Sequence, residues 1–463
     1  MWQAIGHGKQ GQRETRSQEA SEKEADCARV GACGCAGLQE TRLTSSGDHT
    51  PCSDGCLYNP SVRILLLNLY YPPDTSATAK MAETVATRLA REHEVTVVCG
   101  RPSYDPSERR SWKLWQTERQ GNVEVVRVGS TDFPRWQMMK RLLNYLTYAA
   151  LAVPRALFTP GDMILAMTDP PFEGIIGAVV AMLKGKPFVY NIRDLYPDMA
   201  VGGGILRGGL LAWIWERLHR WALRRAACVI VLGRDVRTRI IAKGVLAKKI
   251  EIVRDGVDLG TAQEAEIDTE VVAQIRNGFR FVLVHAGNLG FYGDWDALLE
   301  AARDLEKDNS GIGMVFIGEG AQKPRMQAAA GALRNVRFLP FFPASKIPSV
   351  LAAADAHIVT LKHGLEGVVV PSKLYGILAA GKPVLGLAPE WSDVDYIVKE
   401  AGCGYIDCPF DGLEDFIEAV RDLSNDPERL RQMGEAARAA APDYDRVKEL
   451  QKFAEIIDHL RVG

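Results

Sequence analysis

A glutamate between glycines, a proline, a serine and a lysine fall close together in the stretch 361–387, LKHGLEGVVVPSKLYGILAAGKPVLGL. Glu366 places an ionised acceptor in a loop. Pro371 and Ser372 open a short helix that runs to Ala380, and Gly381-Lys382-Pro383 ends it. The first turn of such a helix offers free N–H groups and the positive end of the dipole, which suit a phosphate. Lys373, on that turn, adds a positive charge. The chemistry on offer is anion binding beside a carboxylate. Other candidates stand where apolar runs end. Asp169 follows the run 164–167, and Asp194 and Asp198 follow the run 188–192. Polar residues at the carboxyl ends of strands are where α/β proteins build their sites. These aspartates read as hydroxyl ligands or as ordinary loop caps. Ser76 and Thr78, after the run 62–69, read as cleft residues or as a helix N-cap with its polar neighbour.

The elements that must hold these residues alternate. Near-continuous apolar runs at 62–69, 94–99, 123–128, 164–167, 188–192, 228–232 and 250–253 predict buried parallel strands. A second set follows at 281–286, 314–317, 337–341, 356–361 and 384–387. Helical stretches separate them, including 80–92, 174–183, 295–305, 347–354, 413–423 and 427–460. At 463 residues the chain is long enough for two domains of roughly 200 residues each. The expected fold is α/β, with two Rossmann-like domains facing across a cleft. The expected division is a tail over 1–60, a first domain over 61–258, a second over 259–440, and a last helix over 441–463 that crosses back. No G-x-G-x-x-G follows the first strand, so a dinucleotide fingerprint is missing from its usual place.

The stretch 361–387 resembles the signature of retaining glycosyltransferases of family 4, which have the GT-B fold. Glu366, Gly367, Pro371 and the Gly381-Lys382-Pro383 turn carry the likeness. The wording PSKLYGILAAGKPV, YYPPDTSATA, CGRPSYDP and DLYPD is nearer to members that build bacterial capsule, O-antigen and colanic-acid-like polysaccharides. The resemblance covers about 62–460. It implies transfer of a sugar from a nucleotide-sugar donor to a lipid-linked or saccharide acceptor, with retention at the anomeric carbon. A UDP-sugar is favoured and a GDP-sugar is open. Glu366 then contacts donor hydroxyls, and Glu366, Lys373 and Asp194 are the expected catalytic residues. Gly287, Asn288, Gly290, Gly318, Gly320, Phe338, Leu339, Gly367, Pro371 and Ser372 are the expected donor contacts. Ser76, Thr78, Asp169 and Asp198 are expected to line the acceptor side. Two features depart from the family. Gly376 stands where a second glutamate is usual. The Gly-rich loop after 281–286 lacks the usual Arg and Lys, with Asn288 near the Arg position. Loop amides and Lys373 are expected to serve the diphosphate instead.

Composition narrows the partners. A formal net charge of −2 argues against a nucleic-acid binder. No apolar run approaches the roughly 18 residues of a membrane span, and the N-terminus shows no secretory pattern. Charge is uneven, however. Residues 207–249 hold eleven Lys/Arg against two Asp/Glu, together with Trp213, Trp215 and Trp221. Residues 136–157 form a second basic and aromatic stretch. Both suit an anionic membrane surface, so a peripheral place on the inner face of the cytoplasmic membrane is expected. Five of nine cysteines lie in the first 56 residues, without a familiar zinc spacing. Asp393-x-Asp395 reads as a chance match to a metal motif. No metal or other cofactor is therefore expected. The rival readings are a nucleotide-sugar epimerase of the same fold and a non-catalytic sugar-nucleotide-binding subunit of a polysaccharide assembly.

Overall fold

The computed structural model describes residues 61–102, 113–133, 138–206, 208–260, 266–308, 310–408 and 412–462. The expected tail with its five cysteines lies outside the described residues. So do Arg207, Trp136 and the second half of the phrase CGRPSYDP.

The first sheet is built from β1 (Arg63–Leu67), β2 (Glu94–Gly100), β3 (Trp115–Gln120), β4 (Val123–Val128), β5 (Met163–Ala166), β6 (Phe188–Asn191), β7 (Cys228–Val231) and β8 (Ile250–Ile252). Their order is β3-β4-β2-β1-β5-β6-β7-β8. All pairs are parallel except the β3–β4 edge. Strand β3 is absent from the sequence reading. Its residues WQTERQ are polar and mostly exposed on both faces, so neither an apolar run nor an alternation marks it. It forms because the tight turn at Gly121, with φ of +56°, folds it back onto β4.

The second sheet holds β9 (Phe281–Ala286), β10 (Ile312–Ile317), β11 (Val336–Leu339), β12 (Ala356–Thr360), β13 (Val384–Leu387) and β14 (Gly404–Asp407). It is parallel throughout, in the order β11-β10-β9-β12-β13-β14. Strands buried on both faces need helices on both sides, and the alternating chain supplies them. Each sheet reverses strand order once, between β1 and β5 and between β9 and β12. At such a switch point the loops diverge to opposite faces and leave a crevice.

The last helix, Arg446–Val462, packs on the first sheet. Phe453, Ala454 and Ile457 are buried among β1, β2 and the helix Ala77–Leu89. Lys452 donates to the Ile252 carbonyl at 2.7 Å, and Glu449 accepts from the Arg254 N–H at 2.9 Å.

Candidate active site

The switch point of the second sheet gathers the anion-binding candidates. Strand β9 ends in Gly287-Asn288-Leu289-Gly290, and β12 leads into the loop that carries Glu366. Between them the backbones of two glycine loops touch. A Cβ on Gly318 would lie 1.9 Å from the Gly287 carbonyl, and one on Gly320 would lie 2.3 Å from the Leu289 carbonyl. Gly318, at φ of +146°, also occupies backbone space that side chains resist. These glycines are required by close approach. The amides of Gly287 and Leu289 are already bonded, to Ile317 and Glu319 at 2.9 Å each. The expectation that loop amides hold a diphosphate therefore loses these two donors.

Lys373 fills the gap. Its Nζ lies 3.2 Å from where a Cβ on Gly287 would stand, so the ammonium reaches over the loop. It donates to His285 Nε2 at 2.9 Å. His285 sits inside β9, fully buried, and packs edge-on against Trp295. Burial, and then the neighbouring Lys373, hold its pKa well below the ordinary value, so the ring is neutral and accepts the bond. Burial alone brings Lys373 down to about 7. An anion arriving at Gly287 would restore that charge. The sequence reading missed His285, although a histidine within the apolar run FVLVHA is a visible signal. Asn288 is exposed between Gly290 and Gly320. Phe338 stacks on Phe316 at 5.4 Å, while the Leu339 carbonyl accepts from Gly318 at 3.0 Å. Leu339 thus braces the glycine loop.

The acidic loop follows. Glu366 Oε2 accepts from the Gly364 N–H at 2.8 Å, which folds the side chain back along its own loop. Pro371 is buried and Ser372 exposed. The helix they precede spans Lys373–Ala379, two residues shorter at its start than expected, and Ser372 makes no capping bond. Gly367, an expected donor contact, lies where the first lobe meets this loop. A Cβ there would lie 2.6 Å from the Asp235 carbonyl of the first lobe, which identifies Gly367 as a lobe-to-lobe contact. At Gly376 a Cβ would meet nothing closer than Leu351 Cδ1, at 3.8 Å. The missing second carboxylate is not excluded by crowding at that position.

The first lobe presents its candidates differently. Ser76 is buried and caps the helix Ala77–Leu89 by accepting from the Ala79 N–H at 3.1 Å. Its capping reading holds, and the helix begins three residues earlier than expected. Thr78, half-buried, lies in the first turn. Asp198 is paired with Lys243 at 2.7 Å and Arg239 at 3.0 Å. Burial pushes its carboxyl up, but these two cations outweigh that and hold it below the ordinary range. The expected acceptor ligand is thus engaged in a structural ion-pair group with Glu216, 2.8 Å from Lys243. Asp194 and Asp169 are close enough to interact. Burial, then the Asp169 charge, raise Asp194 to about 7 against the pull of Arg193. A carboxyl poised near neutrality at the end of β6 can exchange a proton with a hydroxyl. Gly202 ends the helix Asp198–Gly202 and packs against the second lobe, where a Cβ would lie 2.6 Å from Leu365 Cδ2. Asp393 is engaged by Arg254 at 3.2 Å and by the Arg234 N–H at 3.0 Å, and Asp395 by Lys399 at 2.9 Å.

Known proteins resemble this chain in sequence and in fold. Residues 76–256 match the glycosyl transferase 4-like domain, and residues 268–440 match the glycosyl transferases group 1 domain. WcaI of Escherichia coli (strain K12), named for colanic acid biosynthesis, is 26% identical over 73% of this chain and 86% of its own length. The glycosyltransferase WbjE of Pseudomonas aeruginosa is 25% identical over 64% of this chain and 74% of its own. The crystal structure of HepE from Anabaena in complex with UDP superposes with a TM-score of 0.61 at 18% identity. That match covers 86% of this chain and all of HepE, and shows a common fold. With both domain models matched in order, the chain belongs to glycosyltransferase family 4 and is a transferase of the GT-B fold.

Proposed function

We propose that the protein transfers a sugar with retention of configuration from a UDP-sugar to a lipid-linked saccharide in the synthesis of a cell-surface polysaccharide. The observation that carries the donor half is Lys373, held by a neutral His285 over a loop stripped to glycine. In this reading the diphosphate lies along Gly287 and Gly290, with Lys373 on its oxygens. Glu366 takes the sugar hydroxyls. The acceptor hydroxyl attacks from the face the diphosphate leaves, and the departing oxygen accepts its proton. Charge grows on that oxygen as the bond breaks, so Lys373 stabilises the transition state more than the ground state. No metal enters this scheme. The names of WcaI and HepE support the polysaccharide and UDP parts of the reading.

The test is titration with UDP and GDP by calorimetry, then transfer assays with and without lipid-linked acceptor, read by NMR for the anomeric configuration. Activity should survive EDTA. Donor turnover without any acceptor would favour the epimerase reading, and binding without turnover would favour the non-catalytic subunit.

The acceptor half rests on the helix Leu210–Arg225 of the first lobe. Leu210, Leu211, Trp213, Ile214 and Leu218 are exposed beside Arg217 and Arg224. Arg217 lies over the Trp213 ring at 5.2 Å. Trp215 stacks on Tyr196 and Trp221 packs against the core, so of the three tryptophans Trp213 faces outward. On the helix Met138–Phe158, Leu142, Leu143 and Leu146 are exposed and Tyr145 is buried. No helix among the described residues is long and apolar enough to cross a membrane. An apolar face edged with arginine suits shallow insertion between anionic headgroups. Co-sedimentation with anionic vesicles, weakened by salt and absent with neutral vesicles, is the expected result.

A further inference from the structure

The loop that carries Glu366 grows from the second sheet, yet the first lobe holds it. The Leu195 N–H donates to the Val368 carbonyl at 3.0 Å, and Asp194 forms an antiparallel bridge with Val369. Asp235 Oδ2 accepts from the buried Gly367 N–H at 3.0 Å and from the Asp393 N–H at 3.1 Å. Its Oδ1 accepts from the Val236 N–H at 2.7 Å, in the first turn of the helix Arg234–Ala242. One turn on, Arg239 donates from Nη1 to the Glu366 carbonyl at 2.8 Å, while its Nε is fixed by Asp198 at 3.0 Å. The fit is tight. Gly367 has φ of +68°, and a Cβ there would lie 3.2 Å from Arg239 Cβ as well as against Asp235.

We infer that Asp235 and Arg239 are positioning residues for Glu366, so that the first lobe sets the donor-sugar loop of the second. Neither side chain reaches the glycine cradle. Both act on the one peptide unit that follows Glu366, Asp235 on its Gly367 N–H and Arg239 on its Glu366 carbonyl. A glycine-flanked loop has many conformations when free. Contacts from the opposite lobe select one of them. When the lobes part, those contacts break together, and the carboxylate loses its place while the diphosphate cradle keeps its own. Donor-sugar engagement is thereby tied to closure of the cleft. The inference rests on the donor role proposed for Glu366.

Hydrogen exchange on the ligand-free full-length protein tests the loop directly. Asp235→Ala and Arg239→Ala should each speed exchange across 362–370 about tenfold or more, the loss of a charge-assisted bond. Arg239→Lys, which keeps the charge, should restore part of the protection. Glu400→Ala removes a lobe-to-lobe ion pair with Arg234 that does not touch the loop, and should leave exchange there unchanged. Unchanged exchange in both alanine variants would overturn the inference. A second arm separates positioning from general damage. UDP affinity by calorimetry should stay within about twofold in Arg239→Ala, as expected for an uncoupled site. In the same variant, kcat for sugar transfer from the active donor should fall about tenfold or more. A fall in UDP affinity as large as the fall in kcat would also overturn it. If the unaltered protein binds no UDP or other nucleoside diphosphate, the donor reading fails, and the exchange arm still decides whether the first lobe sets the loop.

Discussion

The two lobes build their facing edges by opposite means. In the second lobe the edge is made by removing side chains. Gly287, Gly318 and Gly320 let two loops lie against each other, and one long side chain, Lys373, enters the space they leave. In the first lobe the edge is made of charged and hydroxyl groups, and several of them serve the lobe itself. Ser76 caps a helix, and Asp198 neutralises Lys243 and Arg239. The lesson is that a polar residue at the end of a strand marks a site only when nothing nearby requires it. On the glycine side the absence of side chains is itself the signal, because backbone approach has no cheaper explanation.

The comparison predicts that damage to the glycine edge destroys binding while damage to the first lobe's caps costs stability. The largest effect should come from Gly318→Ala. Its Cβ would collide with the Gly287 carbonyl from a left-handed backbone. UDP binding should vanish in calorimetry, with about 1–3 kcal/mol lost in denaturant unfolding. Retained binding would show that the cradle lies elsewhere. Next, Lys373→Ala should weaken UDP by about tenfold or more, the worth of a charge-assisted contact. Glu366→Gln should lower transfer while leaving UDP affinity within about twofold. Equal weakening of UDP by both would dissolve the division between phosphate and sugar contacts.

On the first-lobe side, Asp198→Ala should cost about 1–3 kcal/mol of unfolding free energy and leave UDP affinity alone. Asp198 has a lowered carboxyl pKa, so it stabilises the fold above the ordinary carboxylate range. That contribution is lost as pH falls through the lowered value, so variant and parent should converge in acid. Ser76→Ala should cost about 0.5–2 kcal/mol with no change in UDP affinity. A large loss of binding in either would place the first lobe's polar groups in the donor site after all. The smallest signal is a proton. Lys373 titrates near 7 in the empty site, and a diphosphate should raise that value. UDP binding at pH 8, followed in buffers of different ionisation enthalpy, should take up a fraction of one proton. Lys373→Ala should abolish the uptake, and affinity in the parent should fall as pH rises above 7.

Most of the fold was legible because parallel strands buried on both faces leave continuous apolar runs. The runs at 123–128, 281–286 and 384–387 coincide with β4, β9 and β13. Strand β3 was not legible, since an edge strand open to water carries no pattern. In the site, Glu366, Pro371 and Lys373 stood out through spacing and flanking glycines. His285 left one mark, a lone histidine inside an apolar run that otherwise reads as a buried strand.

What the sequence by itself determined was local: where strands begin and end, which loops follow them, and which loops carry glycine, carboxylate and lysine. These follow from side-chain period and backbone freedom, which are properties of neighbours in the chain. The tertiary structure decided the partnerships. It set Lys373 against His285, gave Asp198 to Lys243 and Arg239, and set Gly367 against Asp235. Each of these joins residues from tens to more than a hundred positions apart. Their pairing depends on how strand order reverses and how two sheets meet, which no local pattern of residues encodes.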